Sequence, residues 1–93
     1  MLISVICPVF NGERYIINNI LKYFINATPK DKELIIVDGG STDNTTKVIK
    51  EWAQKYPQIK LLHNPNKYVP YSLNMAIRAS QGKYIARMDV HTI

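Results

Sequence analysis

Residues 33–45 read ELIIVDGGSTDNT. A short apolar run rich in β-branched residues ends on Asp38, two glycines follow, and Ser41-Thr42-Asp43 then offer side-chain oxygens of the kind that cap helices. Apolar runs of this length are read as strands buried on both faces, and such strands belong to parallel sheets. Gly39-Gly40 lets backbone approach closely, whether to turn the chain or to admit a ligand. Asp38 is the unusual residue. A carboxylate closing an apolar strand is costly unless something pairs with it, so Asp38 is a candidate ligand-binding residue.

The same unit recurs on either side. Towards the N-terminus, residues 2–7 (LISVIC) form another apolar run, bounded by Pro8 and Asn11-Gly12. Residues 13–27 (ERYIINNILKYFINA) then place Ile16, Ile17, Ile20, Leu21 and Phe24 on one helical face, with Glu13 in the first turn where the helix dipole favours an anion. Towards the C-terminus, Val48, Ile49, Trp52, Ala53 and Tyr56 keep helical spacing until Pro57. Residues 58–63 (QIKLLH) read as a third, half-exposed strand and 64–71 (NPNKYVPY) as a loop. Leu73, Ala76 and Ile77 mark a short helix closed by Gly82, and 83–88 a fourth strand. The alternation predicts an α/β fold, a Rossmann-like three-layer α/β/α arrangement around a mostly parallel sheet of about four strands. Ligands of such sheets sit beyond the carboxyl ends of the strands, where the strand order reverses. Pro8-Val9-Phe10-Asn11, Asp38-Gly39-Gly40-Ser41 and Asp89-Val90-His91 all fall there.

Composition narrows the classes. Ninety-three residues with 46% hydrophobic and 20% charged side chains describe one small globular domain. Neither a spanning apolar segment nor a secretory signal is present, which makes the cytoplasm the expected compartment. The formal charge of +5 favours anionic partners, but Lys22, Lys30, Lys47, Lys60, Arg78 and Lys83 are scattered, so no nucleic acid partner is expected. Cys7 is the single cysteine, which excludes an internal disulfide and a cysteine-rich zinc site. It reads as a buried core residue. No G-x-G-x-x-G follows the first strand and no GxxxxGK[ST] occurs, so dinucleotide-binding and P-loop readings fall away. Asp89 and His91, two apart, would share one face of a continuing strand. One carboxylate and one imidazole suit an Mn²⁺-like ion completed by phosphate and water oxygens. Ser41, Thr42 and Asp43 read first as helix caps, and His63 as structural or solvated.

Taken together, PVFNGERY, IIVDGGSTDNT and SLNMAIRASQGKYIARMDVH resemble the N-terminal half of a family 2 glycosyltransferase with the GT-A fold, of the branch that makes bacterial surface polysaccharides. The resemblance covers essentially the whole chain. It implies nucleotide-binding roles for Pro8, Phe10, Asn11, Glu13, Asp38, Gly39 and Asn74, and it matches Gly82 to a glycine before the last strand. The family's Asp-x-Asp, which holds a divalent cation (Mn²⁺ or Mg²⁺) on the diphosphate, falls on Asp89-Val90-His91. Two departures stand out: Gly39 where a second Asp is frequent, and His91 in place of the second metal carboxylate.

The resemblance further implies transfer of a sugar from a UDP- or GDP-sugar to an acceptor glycan or lipid-linked saccharide, with inversion. The general base is expected beyond residue 93, so residues 1–93 are expected to be a donor-binding half, truncated just after the metal motif and of little activity alone. Many members carry membrane segments further on, which implies a full-length protein at the cytoplasmic face of the membrane. An unpaired sheet edge makes homo-oligomerisation an expectation. The rivals are a non-catalytic nucleotide-sugar-binding or assembly module, a metal-dependent nucleotidyltransferase and a flavodoxin-like signalling domain. The nucleotidyltransferase calls for more basic residues after the first strand than Arg14. The signalling domain calls for a phosphate-binding turn or acidic cluster there, and this turn is neutral.

Overall fold

A computed structural model describes residues 2–27, 29–66 and 69–89. Strands β1 (Ile3–Val9), β2 (Lys32–Asp38), β3 (Ile59–His63) and β4 (Tyr84–Arg87) form one sheet in the order β3-β2-β1-β4, and every pair is parallel. Helix α1 (residues 13–26) joins β1 to β2, α2 (Thr45–Lys55) joins β2 to β3, and α3 (Val69–Ala79) joins β3 to β4. From β1 to β3 the chain steps one way across the sheet. It then returns past β1 to lay down β4. With right-handed crossovers, that reversal puts α3 on the opposite face from α1 and α2.

The core divides accordingly. On one face Val5, Cys7, Leu34 and Ile36 pack against Ile16, Ile20 and Phe24 of α1 and Ile49 of α2. On the other, Ile6, Ile35 and Val37 pack against Ala76 of α3. This alternation along each strand is why the runs in 2–7 and 33–37 carry apolar residues towards both helical layers. The predicted three-layer fold is the one observed, and the sheet is wholly parallel.

Three details differ from the sequence reading. Helix α1 is not regular: an α-helical turn (Glu13–Tyr15) and a second (Lys22–Asn26) flank a π-helical stretch (Ile16–Leu21). The wider π turn aligns Ile16 with Ile20 and Leu21, and all three are buried. Helix α3 begins at Val69, inside the segment expected as loop. Pro70 is tolerated because first-turn N–H groups have no partner within the helix. Strand β1 continues through Pro8. Leu2 and Ile6 direct their carbonyls to β4, accepting Tyr84 N–H and Met88 N–H (both 2.9 Å), so Pro8 faces the same way. It has no N–H to give, and pairing with β4 ends at Ile6↔Arg87.

The amino edge of the sheet holds a feature that strand patterning did not reveal. Glu33 is fully buried, yet its carboxylate accepts Ser4 Oγ–H (2.6 Å), Gln81 N–H (2.7 Å) and a Lys60 Nζ hydrogen bond (2.7 Å). Ser4 Oγ in turn accepts Gly82 N–H at 2.7 Å. These bonds dock the α3–β4 connection beside β1. They require Gly82: a Cβ there would lie 2.4 Å from Ser4 N and 2.7 Å from Ile3 C. Burial by itself would raise the Glu33 carboxyl, but the hydrogen bonds from Lys60, Ser4 and Gln81 outweigh it and hold the group below its ordinary 4.5.

Gly82→Ala should therefore lower the unfolding free energy by about 1–3 kcal/mol, the cost of overpacking against backbone that cannot yield. A urea titration measures this directly. Glu33 makes a second prediction. Because its folded pKa is depressed, the unfolded chain takes up the proton first as pH falls. The stabilisation is fully present above about pH 4.5 and drains away as pH falls towards the folded pKa. Glu33→Gln should flatten that acid limb as pH falls below about 4.5 in urea titrations.

Candidate functional site

The strand order reverses between β1 and β4, and the carboxyl ends of β1, β2 and β4 lie along one edge of the sheet, where such sheets bind their ligands. Asp38, at the end of β2, is 1% exposed. Its carboxylate is satisfied within the chain: Oδ2 accepts Gly40 N–H and Ser41 N–H, each at 3.0 Å, and Oδ1 accepts the Ser41 hydroxyl. Gly40 makes this possible by adopting φ 96°, which aims successive amides back at the carboxylate. The cost that marked Asp38 in the sequence is thus met by its own loop. His63, at the end of β3, brings Nδ1 to 3.6 Å from Oδ2 and is otherwise largely solvated. A groove of about 380 Å³ opens here, lined by Asp38, Gly40, Ser41, Thr46, Lys50 and His63 among others.

The turn after β1 is strapped to the turn after β2. Asn11 adopts φ 50°, a left-handed conformation that asparagine tolerates better than most residues. Its N–H donates to Ser41 Oγ (2.8 Å) and its Oδ1 accepts Thr42 N–H (2.7 Å). Glu13 N–H donates to Asp43 Oδ2 (3.2 Å), while the Glu13 carboxylate accepts Asn44 N–H (3.0 Å) and Asn44 Nδ2–H (3.2 Å). Each carboxylate thereby caps the other's helix. Asp43 also accepts Thr45 N–H at 3.0 Å. Burial would raise its carboxyl, but the hydrogen bonds from Thr45 and Glu13 hold it low. The N-cap of α2 is Asn44, which none of the expected caps occupies, and of those residues only Asp43 reaches a helix N–H, that of Thr45. Ser41 and Thr42 lie too early, since α2 starts at Thr45, and they bind Asp38 and Asn11 instead.

The remaining candidates are distributed as follows. Gly39 is buried and gives its N–H to Val9 O (2.9 Å), tying the two strand ends together. Pro8 is partly buried, and Phe10 is 49% exposed beside them. Asn74 lies on the exposed side of α3. Asp89 leaves β4 half-exposed, with Oδ1 accepting Arg87 Nη2–H (3.0 Å) and Nε–H (3.2 Å). His91 lies outside the described residues, and among the described residues no three metal-ligating side chains cluster. Cys7 is fully buried. Burial, with the nearby Asp89 charge, pushes its thiol up to about 12, so it stays neutral and inert. Sequence reasoning missed Ser41 as a partner of Asp38 and Arg87 as a partner of Asp89. The Arg87–Asp89 spacing was the available signal for the second.

The sequence profile of Glycosyl transferase family 2 matches residues 4–93. The chain belongs to glycosyl transferase family 2. An uncharacterized glycosyltransferase of Escherichia coli K12, YibD, is 35% identical over 88 residues, covering 94% of this chain and 25% of that protein. Among solved structures, Staphylococcus aureus TarS 1-349 in complex with UDP superimposes with a TM-score of 0.82 at 24% identity, a likeness of fold covering 97% of this chain and 27% of that one. The mannosyltransferase PcManGT of Pyrobaculum calidifontis, in complex with GDP-Man and Mn²⁺, gives a TM-score of 0.82 at 26% identity, covering 95% of this chain and 27% of that one. This chain thus spans about a quarter of the length of each. Its four-stranded parallel sheet is part of the GT-A fold of this family. No helix among the described residues is long and apolar enough to cross a membrane.

Asn11→Ala should cost about 1–2 kcal/mol, from the left-handed backbone and the lost Thr42 bond. Asn11→Gly should recover the backbone part alone, and comparing the two in urea melts separates the contributions.

Proposed function

We propose that residues 1–93 form the donor-binding region of a glycosyltransferase that moves a sugar from a nucleoside diphosphate-sugar to an acceptor hydroxyl. The observation carrying this is the strand order of a family 2 chain, which brings the ends of β1, β2 and β4, and with them Asp38 and Asp89, to one edge of the sheet. The nucleoside lies over the ends of β1 and β2, with Pro8 and Phe10 offering apolar surface, Asp38 a hydrogen-bond acceptor and Gly39 close backbone approach. Asn11 and Glu13 act there mainly by holding the turns, because their polar atoms are engaged with Ser41, Thr42 and Asn44. Asn74 is assigned to the same nucleotide site.

The diphosphate end belongs to Asp89 and His91. Hard divalent cations are held by one or two carboxylates with phosphate and water oxygens completing the shell, and a half-exposed Asp89 at the exit of β4 suits that arrangement. PcManGT, with its GDP-Man and Mn²⁺, supports the pairing of such a cation with such a donor. When bound, the cation neutralises charge on the departing diphosphate. Arg87 keeps the Asp89 carboxylate at the strand exit. Family 2 resemblance supports inversion and a place in surface polysaccharide synthesis. The acceptor site and the base that deprotonates the acceptor belong to sequence outside this chain, in keeping with its quarter share of the relatives' length. The assignment places it in the cytoplasm, and places the full-length protein at the membrane's cytoplasmic face.

Calorimetric titration of UDP, dTDP and GDP, with and without Mn²⁺, tests the proposal. Asp38→Ala should weaken binding in both conditions by roughly tenfold, the loss of a buried hydrogen bond. Asp89→Ala and His91→Ala should remove only the increment due to Mn²⁺. Equal losses from all three would contradict the division of roles.

A further inference from the structure

Strand β4 is the bare edge of the sheet. Among the described residues only β1 pairs with it, and every residue of β4 is exposed, Tyr84 at 60% and Ile85 at 46%. Tyr84 N–H and Met88 N–H donate to β1. Successive residues of a strand turn their amide groups to opposite sides, so Ile85 and Arg87 direct theirs to the open edge. An open ladder of this kind is a template for another strand. The side chains alternate too. Ala86 pairs with Val5 and faces the α1–α2 layer, with Tyr84 and Met88 in the same row. Arg87 pairs with Ile6 and faces the α3 layer, with Ile85 in its row and Lys83 and Asp89 at the two ends of it.

We propose that the occupant of this edge is a second copy of the chain, its β4 antiparallel to the first about a two-fold axis at Ala86, so that the two sheets become one. Amide direction and charge select this register. Ile85 and Arg87 must each meet an outward-facing residue, which excludes every slip by a single position. Of the remaining registers, placing Ile85 opposite its own counterpart sets Lys83 against Arg87, and placing Arg87 opposite its counterpart sets two guanidinium groups together. Like charges directly opposite are destabilising. With Ala86 on the axis, Ile85 of one copy exchanges backbone bonds with Arg87 of the other, and Lys83 lies opposite Asp89. Asp89 then stands between Arg87 of its own copy, which it already binds at 3.0 Å, and Lys83 of the second. On the other face Tyr84 lies opposite Met88 and gains apolar cover. The contact runs edge to edge and buries far less than the roughly 1,600 Å² of a standard interface, which makes the dimer weak and concentration-dependent.

Sedimentation velocity of the 93-residue chain, at roughly 10 μM to 1 mM where weak contacts titrate, should show monomer giving way to dimer. Ile85→Pro removes an N–H that points away from β1, so it should keep the chain monomeric with a melting curve close to wild type. Lys83→Glu and Asp89→Lys should each weaken the dimer severalfold, and the two combined should restore it. Cross-linking reads the register without relying on those variants. Across the axis Ala86 faces its counterpart as a non-hydrogen-bonded pair, with Cα atoms about 4.5 Å apart and within reach of a disulfide. Mild oxidation should therefore couple Ala86→Cys roughly tenfold or more faster than Ile85→Cys, whose counterpart stands out of step along the strand. Cys7 is buried and does not compete. A chain that stays monomeric at the highest concentration would overturn the proposal and leave the edge to a different polypeptide. A dimer that persists in folded Ile85→Pro would also overturn it, as would equal coupling of the two cysteine variants, since another surface or register would then hold the copies together.

Discussion

The close approach of Gly82 to Ser4 governs how the rest of the molecule can be arranged. Gly82 N–H reaches Ser4 Oγ at 2.7 Å only because no side chain stands between the two backbones. Ser4 and Gln81 both bond to the buried Glu33 carboxylate, which Lys60 neutralises from β3. One cluster at the amino edge therefore spans β1, β2, β3 and the connection into β4. It fastens the returning chain beside β1, and that placement puts the end of β4 next to the end of β1 at the opposite edge. A buried charge network is weak evidence for net stability, since apolar groups of equal volume often do as well. Its value here is geometric: an apolar contact would not specify where a four-residue, exposed β4 begins its pairing.

At the carboxyl edge a second constraint operates. Parallel strands end in turns that owe each other no hydrogen bonds, so the β1 and β2 turns could drift apart. Gly39 to Val9, Asn11 to Ser41 and Thr42, and the exchange between Glu13 and Asn44 prevent this. The straps join two turns that are about 30 residues apart in sequence, as their partners' separations show. No comparable strap among the described residues reaches Asp89, whose bonding partner is its neighbour Arg87. The turns after β1 and β2 are preorganised by these straps.

This contrast explains what could be read from residues alone. Element types, their order and the parallel sheet follow from local periodicity, and apolar runs ending in Asp38 and Asp89 locate the edge that matters. Glu33 escaped because one charged residue at the head of an apolar run looks like a solvated strand end. Only the fold shows that Ser4, Lys60 and Gln81 converge on it. Ser41 was read as a cap for the same reason: its true partners, Asp38 and Asn11, include one that is distant in sequence. The start of α3 was missed because Pro70 looks like loop chemistry until it is placed in a first turn, where a missing N–H costs nothing.

The bonding also changes what a motif residue should be taken to do. Asp38, Asn11 and Glu13 all stand at positions where the family resemblance implies contact with nucleotide, yet they differ in spare bonding capacity. Glu13 has given both carboxylate oxygens to Asn44, and Asn11 has given its carbonyl oxygen to Thr42. Of the three, Asp38 is the one that lines the groove between the ends of β2 and β3. Polar groups at such an edge face competing demands, since a hydrogen bond used to hold a loop cannot also be offered to a ligand. Here the demands are divided between residues, with Asn11, Glu13 and Ser41 holding the loops so that the Asp38 carboxylate is held in one place.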